Sequence, residues 1–307
     1  MTPAARVSAA IDLLDAILAG QAAEQALTRW ARANRFAGSK DRAAIRDHVF
    51  DALRCKRSYA WLGGAETGRG LMLGACRAAG TPELFDGSQY GPAPASADEV
   101  GAPLGSAPRG VRLDMPDWLL PHFDTAIDDS DSAMAQLRQR AGVFLRVNLA
   151  RCTVEEAMEV LAMDTIATRP LDDIKTALQV TENERRISQS RAYAEGLVEL
   201  QDPASQAAVL RLPLQDGMRV LDLCAGGGGK SLAMTALADL EVTAHDIDPR
   251  RMKDIGPRAA RAGTMIRTTE TPTGAFDLVL VDAPCSGSGT WRRSPEAKWA
   301  LTPERLN

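Results

Sequence analysis

The sequence contains few cysteines, and their arrangement argues against two common kinds of site. The five cysteines are odd in number, form no Cys-x-x-Cys pair and have no histidine nearby at ligand spacing. They are Cys55, Cys76, Cys152, Cys224 and Cys285. Neither a disulfide framework nor a zinc or other metal site is therefore expected.

Long apolar runs are also lacking. No segment approaches the roughly 18 consecutive apolar residues that a membrane-spanning helix needs. The first 20 residues mix apolar and charged side chains, whereas a signal peptide has an unbroken apolar core. With 45% apolar and 25% charged residues, the composition is that of a globular protein. We expect a cytoplasmic protein with no membrane partner.

The chain lacks a strong net charge, but its charge is unevenly distributed. The formal net charge is -4. Residues 1–80 carry 12 Lys/Arg and 7 Asp/Glu, a balance of +5, and residues 81–140 carry 4 and 10, a balance of -6. A basic N-terminal unit is compatible with an RNA-binding face. Ordinary solvated helix surfaces explain the same charges equally well.

The first 80 residues have the apolar periodicity of helices. Val7, Ile11 and Leu14 fall on one face, and Ser39 is predicted to cap a later helix in which apolar residues recur every three or four positions. We expect a small all-helical domain over residues 1–80. Residues 81–115 are rich in Gly, Pro, Ala and Ser without periodicity, which is typical of a linker.

Regular patterns return after residue 115. Val143–Val147 is a predicted strand, and Thr153 with Glu156 forms the capping box of a following helix. Residues 116–200 are therefore predicted to form a small α+β module.

The segment 201–307 alternates strands and helices. The predicted strands are residues 218–223, 242–245, 265–267 and 278–281. This alternation indicates the first part of a doubly wound, Rossmann-like parallel sheet. The predicted fold class is α/β, with an all-α domain and a small α+β module before this sheet.

A glycine-rich loop follows the first of these strands. Residues 224–229 read Cys-Ala-Gly-Gly-Gly-Gly, and Asp246 ends the second strand. Such a loop lets the backbone approach a ligand, and an acid after the second strand accepts hydrogen bonds from ribose hydroxyls. Together they predict an adenosine-containing cofactor. A P-loop would need glycine where Cys224 stands, and a Gly-x-Gly-x-x-Gly motif would need glycine at Ser231.

A second cluster follows the fourth strand, where residues 282–286 read Asp-Ala-Pro-Cys-Ser. The C5 atom of cytosine is a poor nucleophile until a thiolate adds at C6, and a carboxyl group on N3 would stabilise that adduct. Asp282 and Cys285 are therefore candidate catalytic residues. A lone cysteine is otherwise most often a small buried residue.

These motifs together resemble the Sun/RsmB group of rRNA cytosine-C5 methyltransferases. The resemblance rests on residues 222–230 and 282–286. It extends to residues 196–206, which precede the cofactor domain in that group, and to Arg-Val-Asn at 146–148 in its RNA-binding module. The helical N-terminus is similar to the NusB-like domain of bacterial members. The resemblance covers nearly the entire chain and is weakest over residues 80–115.

The resemblance implies S-adenosyl-L-methionine as the cofactor and RNA, specifically rRNA, as the partner. The methionine end would lie against the glycine loop, the ribose against Asp246, and adenine against Glu270. Asp282 would contact both the cofactor and the target cytosine. The implied cofactor contacts in the loop are Cys224, Ala225, Gly226, Gly227, Gly228, Gly229 and Lys230. Arg292, Arg293 and Lys298 are candidates for phosphate contacts.

One motif of the group is missing from these 307 residues. In the group the attacking thiol belongs to a later Thr-Cys-Ser motif, and the Pro-Cys cysteine assists release of methylated RNA. No Thr-Cys dipeptide occurs in this sequence. We expect a chain truncated before that motif and inactive alone, unless Cys285 itself attacks. The alternatives are a non-catalytic RNA-binding protein with a decayed methyltransferase domain and a P-loop NTPase.

Overall fold

The computed structural model describes residues 1–306 and divides the chain into two compact units. The first unit comprises residues 1–141 and 286–306, and the second comprises residues 142–285. Within residues 1–306, no helix combines the length and the apolar character required to cross a bilayer. The four-segment division predicted above, with limits at 80, 115 and 200, stays a prediction.

The first unit is helical. Its helices are α1 (Pro3–Leu18), α2 (Ala23–Ala33), α3 (Ser39–Arg54), α4 (Lys56–Gly63), α5 (Gly68–Ala79), α6 (Arg109–Arg112), α7 (Leu120–Ala126), α8 (Ser130–Leu137), α14 (Glu296–Ala300) and α15 (Pro303–Leu306). Short 3-10 turns lie at Pro82–Leu84, Leu104–Ser106, Asp117–Leu119 and Ser288–Thr290. The predicted apolar face of α1 enters the main core of this unit, together with side chains of α2, α3 and α5.

Helix α3 begins where predicted, but its cap is different. Ser39 is its first helical residue, and Gly38 occupies the N-cap position. The N–H of Gly38 donates to Asp41 Oδ2 at 3.3 Å, so a carboxylate one turn inside the helix accepts from the N-cap backbone. The prediction that Ser39 caps this helix was wrong.

Residues 81–115 lack regular structure over most of their length but are held by two arginines of α5. Arg69 donates to the Glu99 carboxylate and to the carbonyl oxygens of Ala93 and Pro94, at 2.5–3.1 Å. Arg77 donates to the carbonyl oxygen of Glu99 at 2.8 Å. These charge-assisted hydrogen bonds fasten the segment to the helical unit.

The second unit contains two sheets. Its strands are β1 (Val143–Val147), β2 (Thr168–Leu171), β3 (Ile174–Val180), β4 (Val198–Leu200), β5 (Arg219–Asp222), β6 (Glu241–Ala244), β7 (Ile266–Thr268) and β8 (Leu278–Leu280). Its helices are α9 (Val154–Met163), α10 (Arg191–Ala194), α11 (Pro203–Leu210), α12 (Gly229–Thr235) and α13 (Ile255–Ala262), and 3-10 turns lie at Glu184–Gln189 and Pro249–Met252.

The two sheets have different topologies. The first has the antiparallel order β2-β3-β1-β4. Helix α9 begins at the predicted Thr153–Glu156 capping box and packs on this sheet through Ala157 and Leu161. The second has the parallel order β7-β6-β5-β8. Helices α12 and α13 are the crossovers from β5 to β6 and from β6 to β7. The predicted α/β class and parallel sheet are confirmed.

The parallel sheet brings four chain segments to one edge. Asp222 in β5 pairs in register with Ala244 in β6 and with Leu280 in β8. Because parallel strands end on the same side, the segments that follow β5, β6, β7 and β8 all emerge at this carboxyl edge. Ligands of doubly wound sheets bind at this edge, where the strand order reverses.

Candidate active site at the carboxyl edge of the parallel sheet

The glycine loop is a tight turn between β5 and α12. Gly226 and Gly228 have φ angles of 51° and 76°, in the left-handed region that favours glycine. A Cβ added to Gly228 would lie 2.9 Å from Cγ1 of Ile255 on α13. The loop therefore depends on glycine at position 228 for both its backbone conformation and its packing.

Asp246 fixes this loop from the end of β6. Its side chain is buried, with 2% exposure, and Oδ2 accepts a hydrogen bond from the N–H of Gly226 at 2.9 Å. Oδ1 accepts from the N–H of Asp248 at 3.1 Å, and the half-exposed Arg251 forms an ion pair with the carboxylate at 3.1 Å. The predicted ribose-binding acid thus lies against the predicted cofactor loop.

Two buried oxygen atoms beside the loop have no partner among the described residues. Asp222 Oδ2 accepts from the Ser231 hydroxyl at 2.6 Å, but Oδ1 is unpaired. Gln201 Nε2 donates to the carbonyl oxygen of Gly229 at 3.0 Å, and its Oε1 is likewise unpaired. Burial raises the pKa of the Asp222 carboxyl, opposed by the Ser231 hydrogen bond. These free acceptors suit a ligand that donates hydrogen bonds.

An ion pair joins the start of α12 to the loop that follows β8. Lys230 Nζ contacts Asp282 Oδ2, and the lysine is largely buried while the aspartate is exposed. Cys285 is exposed three residues further along. The structure therefore brings Asp282, one predicted catalytic residue, to the end of the predicted cofactor loop.

A second layer of polar contacts supports the loop, and the sequence patterns did not reveal it. Arg258 on α13 donates to the carbonyl oxygen of Gly227. Glu199 on β4 pairs with Arg258 at 3.3 Å and with Arg261 at 2.8 Å. Glu199 belongs to the segment 196–206 that carried part of the family resemblance, and this was the only available signal.

The structure does not bring every predicted residue into this cluster. Glu270 follows β7, is exposed, and has no hydrogen-bond partner among residues 1–306. Arg146 and Asn148 are buried in the second unit, where Asn148 Nδ2 donates to the carbonyl oxygens of Gly196 and Ala262 at 3.1 and 3.0 Å. The Arg-Val-Asn motif therefore lies in the interior of this unit.

The predicted phosphate contact of Lys298 is wrong. Lys298 is 1% exposed within the first unit, where Nζ donates to the carbonyl oxygen of Asp114 at 2.5 Å. Arg292 donates to the carbonyl oxygens of Gln139 and Arg140. Both side chains anchor the segment 286–306 to the helical unit.

The fold is Rossmann-like in its parallel sheet, and it is similar to that of solved proteins that include a methyltransferase homologue. Among solved structures, PH0851 matches all of this chain and 80% of its own, with a TM-score of 0.71 and 19% identity. A methyltransferase homologue from Pyrococcus horikoshii covers 61% of this chain and 65% of its own, with a TM-score of 0.54 and 21% identity. NSun6 from Pyrococcus horikoshii with SFG covers 56% of this chain and 71% of its own, with a TM-score of 0.51 and 14% identity.

Residues 209–307 match the family model described as 16S rRNA methyltransferase RsmB/F. Ribosomal RNA small subunit methyltransferase B of Serratia proteamaculans is 31% identical over 195 residues, and that of Yersinia enterocolitica is 32% identical over 195 residues. Each alignment covers 60% of this chain and 45% of the relative, so the match spans less than half of their length. The resemblance to the Sun/RsmB group is confirmed, as is S-adenosylmethionine as the family's cofactor.

Proposed function

We propose that this chain belongs to the machinery that methylates C5 of a cytosine in ribosomal RNA, with S-adenosylmethionine as the methyl donor and in the cytoplasm. The observation that carries the proposal is the Lys230–Asp282 ion pair. It holds the proposed cofactor loop and the proposed catalytic loop together at one edge of the sheet, with Asp246 on the other side of the glycine turn.

The residues present fit the cofactor. The N–H groups of the glycine turn and the start of α12 suit the carboxylate of its methionine part. The unpaired oxygens of Asp222 and Gln201 are acceptors for its ammonium group. Asp246 would accept hydrogen bonds from the ribose hydroxyls. The exposed Arg251 side chain, which is paired with Asp246, would move away to admit the ribose. Glu270 would contact adenine. NSun6 carries SFG, an analogue of S-adenosylmethionine, which supports this assignment.

The chemistry of cytosine assigns roles to the second loop. When bound, the cofactor supplies an electrophilic methyl group. The Asp282 carboxyl would hydrogen-bond N3 of an unstacked cytosine and stabilise the ring after a thiol has added at C6. The resemblance assigns Cys285 to release of the methylated RNA. Because no Thr-Cys dipeptide supplies the attacking thiol within these 307 residues, we expect no turnover from them alone.

The substrate is tested by bisulfite sequencing of small-subunit rRNA from a strain lacking the gene. One cytosine should lose protection and regain it when the full-length gene is restored. Complete retention of methylation at every site would contradict the rRNA assignment. Turnover by the purified 307-residue chain that Cys285→Ala abolishes would contradict the release role and make Cys285 the nucleophile.

A further inference from the structure

A basic surface of the helical unit lies outside the site described above. Between residues 25 and 40 the sequence has four basic side chains and no acidic one, a balance of +4. All four are exposed. They are Arg29, Arg32, Arg35 and Lys40. Together with Phe36 they are called the α2–α3 surface below.

The four cations differ in their pairing from several other basic side chains of the unit. Arg46 donates to Glu24, Arg57 to Asp117, Arg69 to Glu99 and Arg109 to Asp124. Among residues 1–306, the four cations of the α2–α3 surface have no hydrogen-bond or ion-pair partner. The next acid, Asp41, is engaged by Arg6 at 2.8 Å and by the N-terminal amine at 3.2 Å. The positive charge of this surface is therefore not neutralised within the unit.

Phe36 stands out from the same surface. Its side chain is 74% exposed, whereas the next residue, Ala37, is buried. The turn is tied on both sides, since Ala37 N–H donates to Asn34 O at 3.1 Å and Arg42 Nε donates to Ala37 O at 2.8 Å. An ordered turn thus presents an aromatic ring to solvent beside unpaired cations.

Helix α2 also forms a shallow hollow on this surface. Arg29 and Arg32 lie three residues apart on α2 and so share one face. They line the hollow together with Glu24, Gln25 and Thr28. Glu24 is the only acid there, and Arg46 pairs with its carboxylate.

We propose that the α2–α3 surface binds a single-stranded segment of RNA. Unpaired cations contact phosphates, and an exposed aromatic ring stacks on a base. Double-stranded RNA does not offer a free base face, so the exposed ring of Phe36 favours a single strand over a duplex. The surface would supply affinity for RNA and no chemistry.

The experiment measures binding of the 307-residue chain to a fluorescent single-stranded RNA of about 12 nucleotides by anisotropy, over a series of salt concentrations. Arg32→Ala/Arg35→Ala should weaken binding by about tenfold and reduce the slope of log K against log salt by about 1.4, because each lost phosphate contact removes about 0.7. Phe36→Leu should weaken binding by about tenfold with an unchanged slope, because stacking releases no counterions.

Two matched substitutions elsewhere in the unit are the controls. Arg112→Ala removes an exposed arginine that has no side-chain partner among residues 1–306, and Tyr90→Leu removes an aromatic ring that is 68% exposed. Both should bind RNA like the parent chain. Equal losses in the controls and the surface variants would overturn the proposal, as would tighter binding to a duplex of the same length. Binding of S-adenosylmethionine, measured separately by calorimetry, tests the proposed function and should be unchanged in all four variants.

Discussion

At the scale of a single residue, the Asp246 carboxylate both shapes the glycine turn and is the proposed ribose contact. It accepts hydrogen bonds from the N–H groups of Gly226 and Asp248, so it shapes the glycine turn before any ligand is present. A buried carboxylate that is satisfied by backbone donors is held in one orientation. This orientation supports its proposed contact with ribose.

Replacement of Asp246 tests the proposed cofactor contact. Asp246→Ala should weaken S-adenosylmethionine binding by about 1–3 kcal/mol through loss of charge-assisted hydrogen bonds, and Asp246→Asn should lie between it and the parent. Isothermal titration calorimetry is the measurement. Asp248→Ala is the control, since it removes a neighbouring carboxylate but keeps the N–H that donates to Asp246. Unchanged affinity in Asp246→Ala would exclude this residue from the site.

The element that forms the cofactor loop depends on two adjacent glycines in different ways. Gly228 has a φ angle of 76° and packs against Ile255. Gly229 begins α12, and a Cβ added there would meet nothing nearer than Gln201 Nε2 at 3.7 Å. The same chemical change therefore has opposite consequences at neighbouring positions.

Gly228→Ala should lower the free energy of unfolding by about 1–2 kcal/mol from the left-handed conformation alone, with further loss from the contact with Ile255. Gly229→Ala should be neutral or stabilising by up to about 1 kcal/mol, since alanine is the better helix former. Urea denaturation measures both changes, provided that the slope of the unfolding free energy against urea concentration is the same in both variants. A Gly228→Ala variant as stable as Gly229→Ala would show that the turn tolerates a side chain.

At the scale of the whole molecule, the chain leaves the second unit after Cys285 and completes the first unit. Trp291 is buried with Met115, Leu119 and Met134, and Trp299 Nε1 donates to the carbonyl oxygen of Leu53 at 2.6 Å. Lys298, which precedes Trp299 in the sequence, is also buried. Its burial lowers the pKa of the ammonium group to about 8, and the nearby Asp114 carboxylate opposes this shift. The segment after the proposed catalytic loop is thus anchored by buried groups.

The buried lysine predicts a pH dependence of stability. Between pH 8 and 10.5 the folded state releases the Lys298 proton while the unfolded state keeps it, so the stability contribution of this residue rises with pH. Relative to Lys298→Met, the parent chain should gain about 1–3 kcal/mol of unfolding free energy across this range. Urea denaturation at several pH values is the measurement.

Lys253→Met is the matched control, because Lys253 is an exposed lysine of the second unit. Its difference from the parent chain should not change with pH. A flat difference between the parent and Lys298→Met would mean that Lys298 keeps its proton in the folded chain over this range.

The sequence by itself determined the features that local pattern encodes. The apolar runs and the loops between them defined the parallel strands within a few residues, and Thr153 with Glu156 defined a capped helix. The glycine run and Asp246 were recognisable because a cofactor loop requires these residue types at fixed places after consecutive strands. The roles of the individual site residues remain predictions.

Only the tertiary structure decided which distant groups meet. Three glycines make α5 a poor helix by propensity, yet a Cβ added to Gly74 would lie 1.9 Å from Tyr59 O of α4, so close packing requires glycine there. Lys298 has the sequence character of a surface cation but is buried against the carbonyl oxygen of Asp114, and Arg258 reaches the carbonyl oxygen of Gly227 from another helix. Contacts across such separations depend on how the elements pack, because local pattern carries no record of the partner.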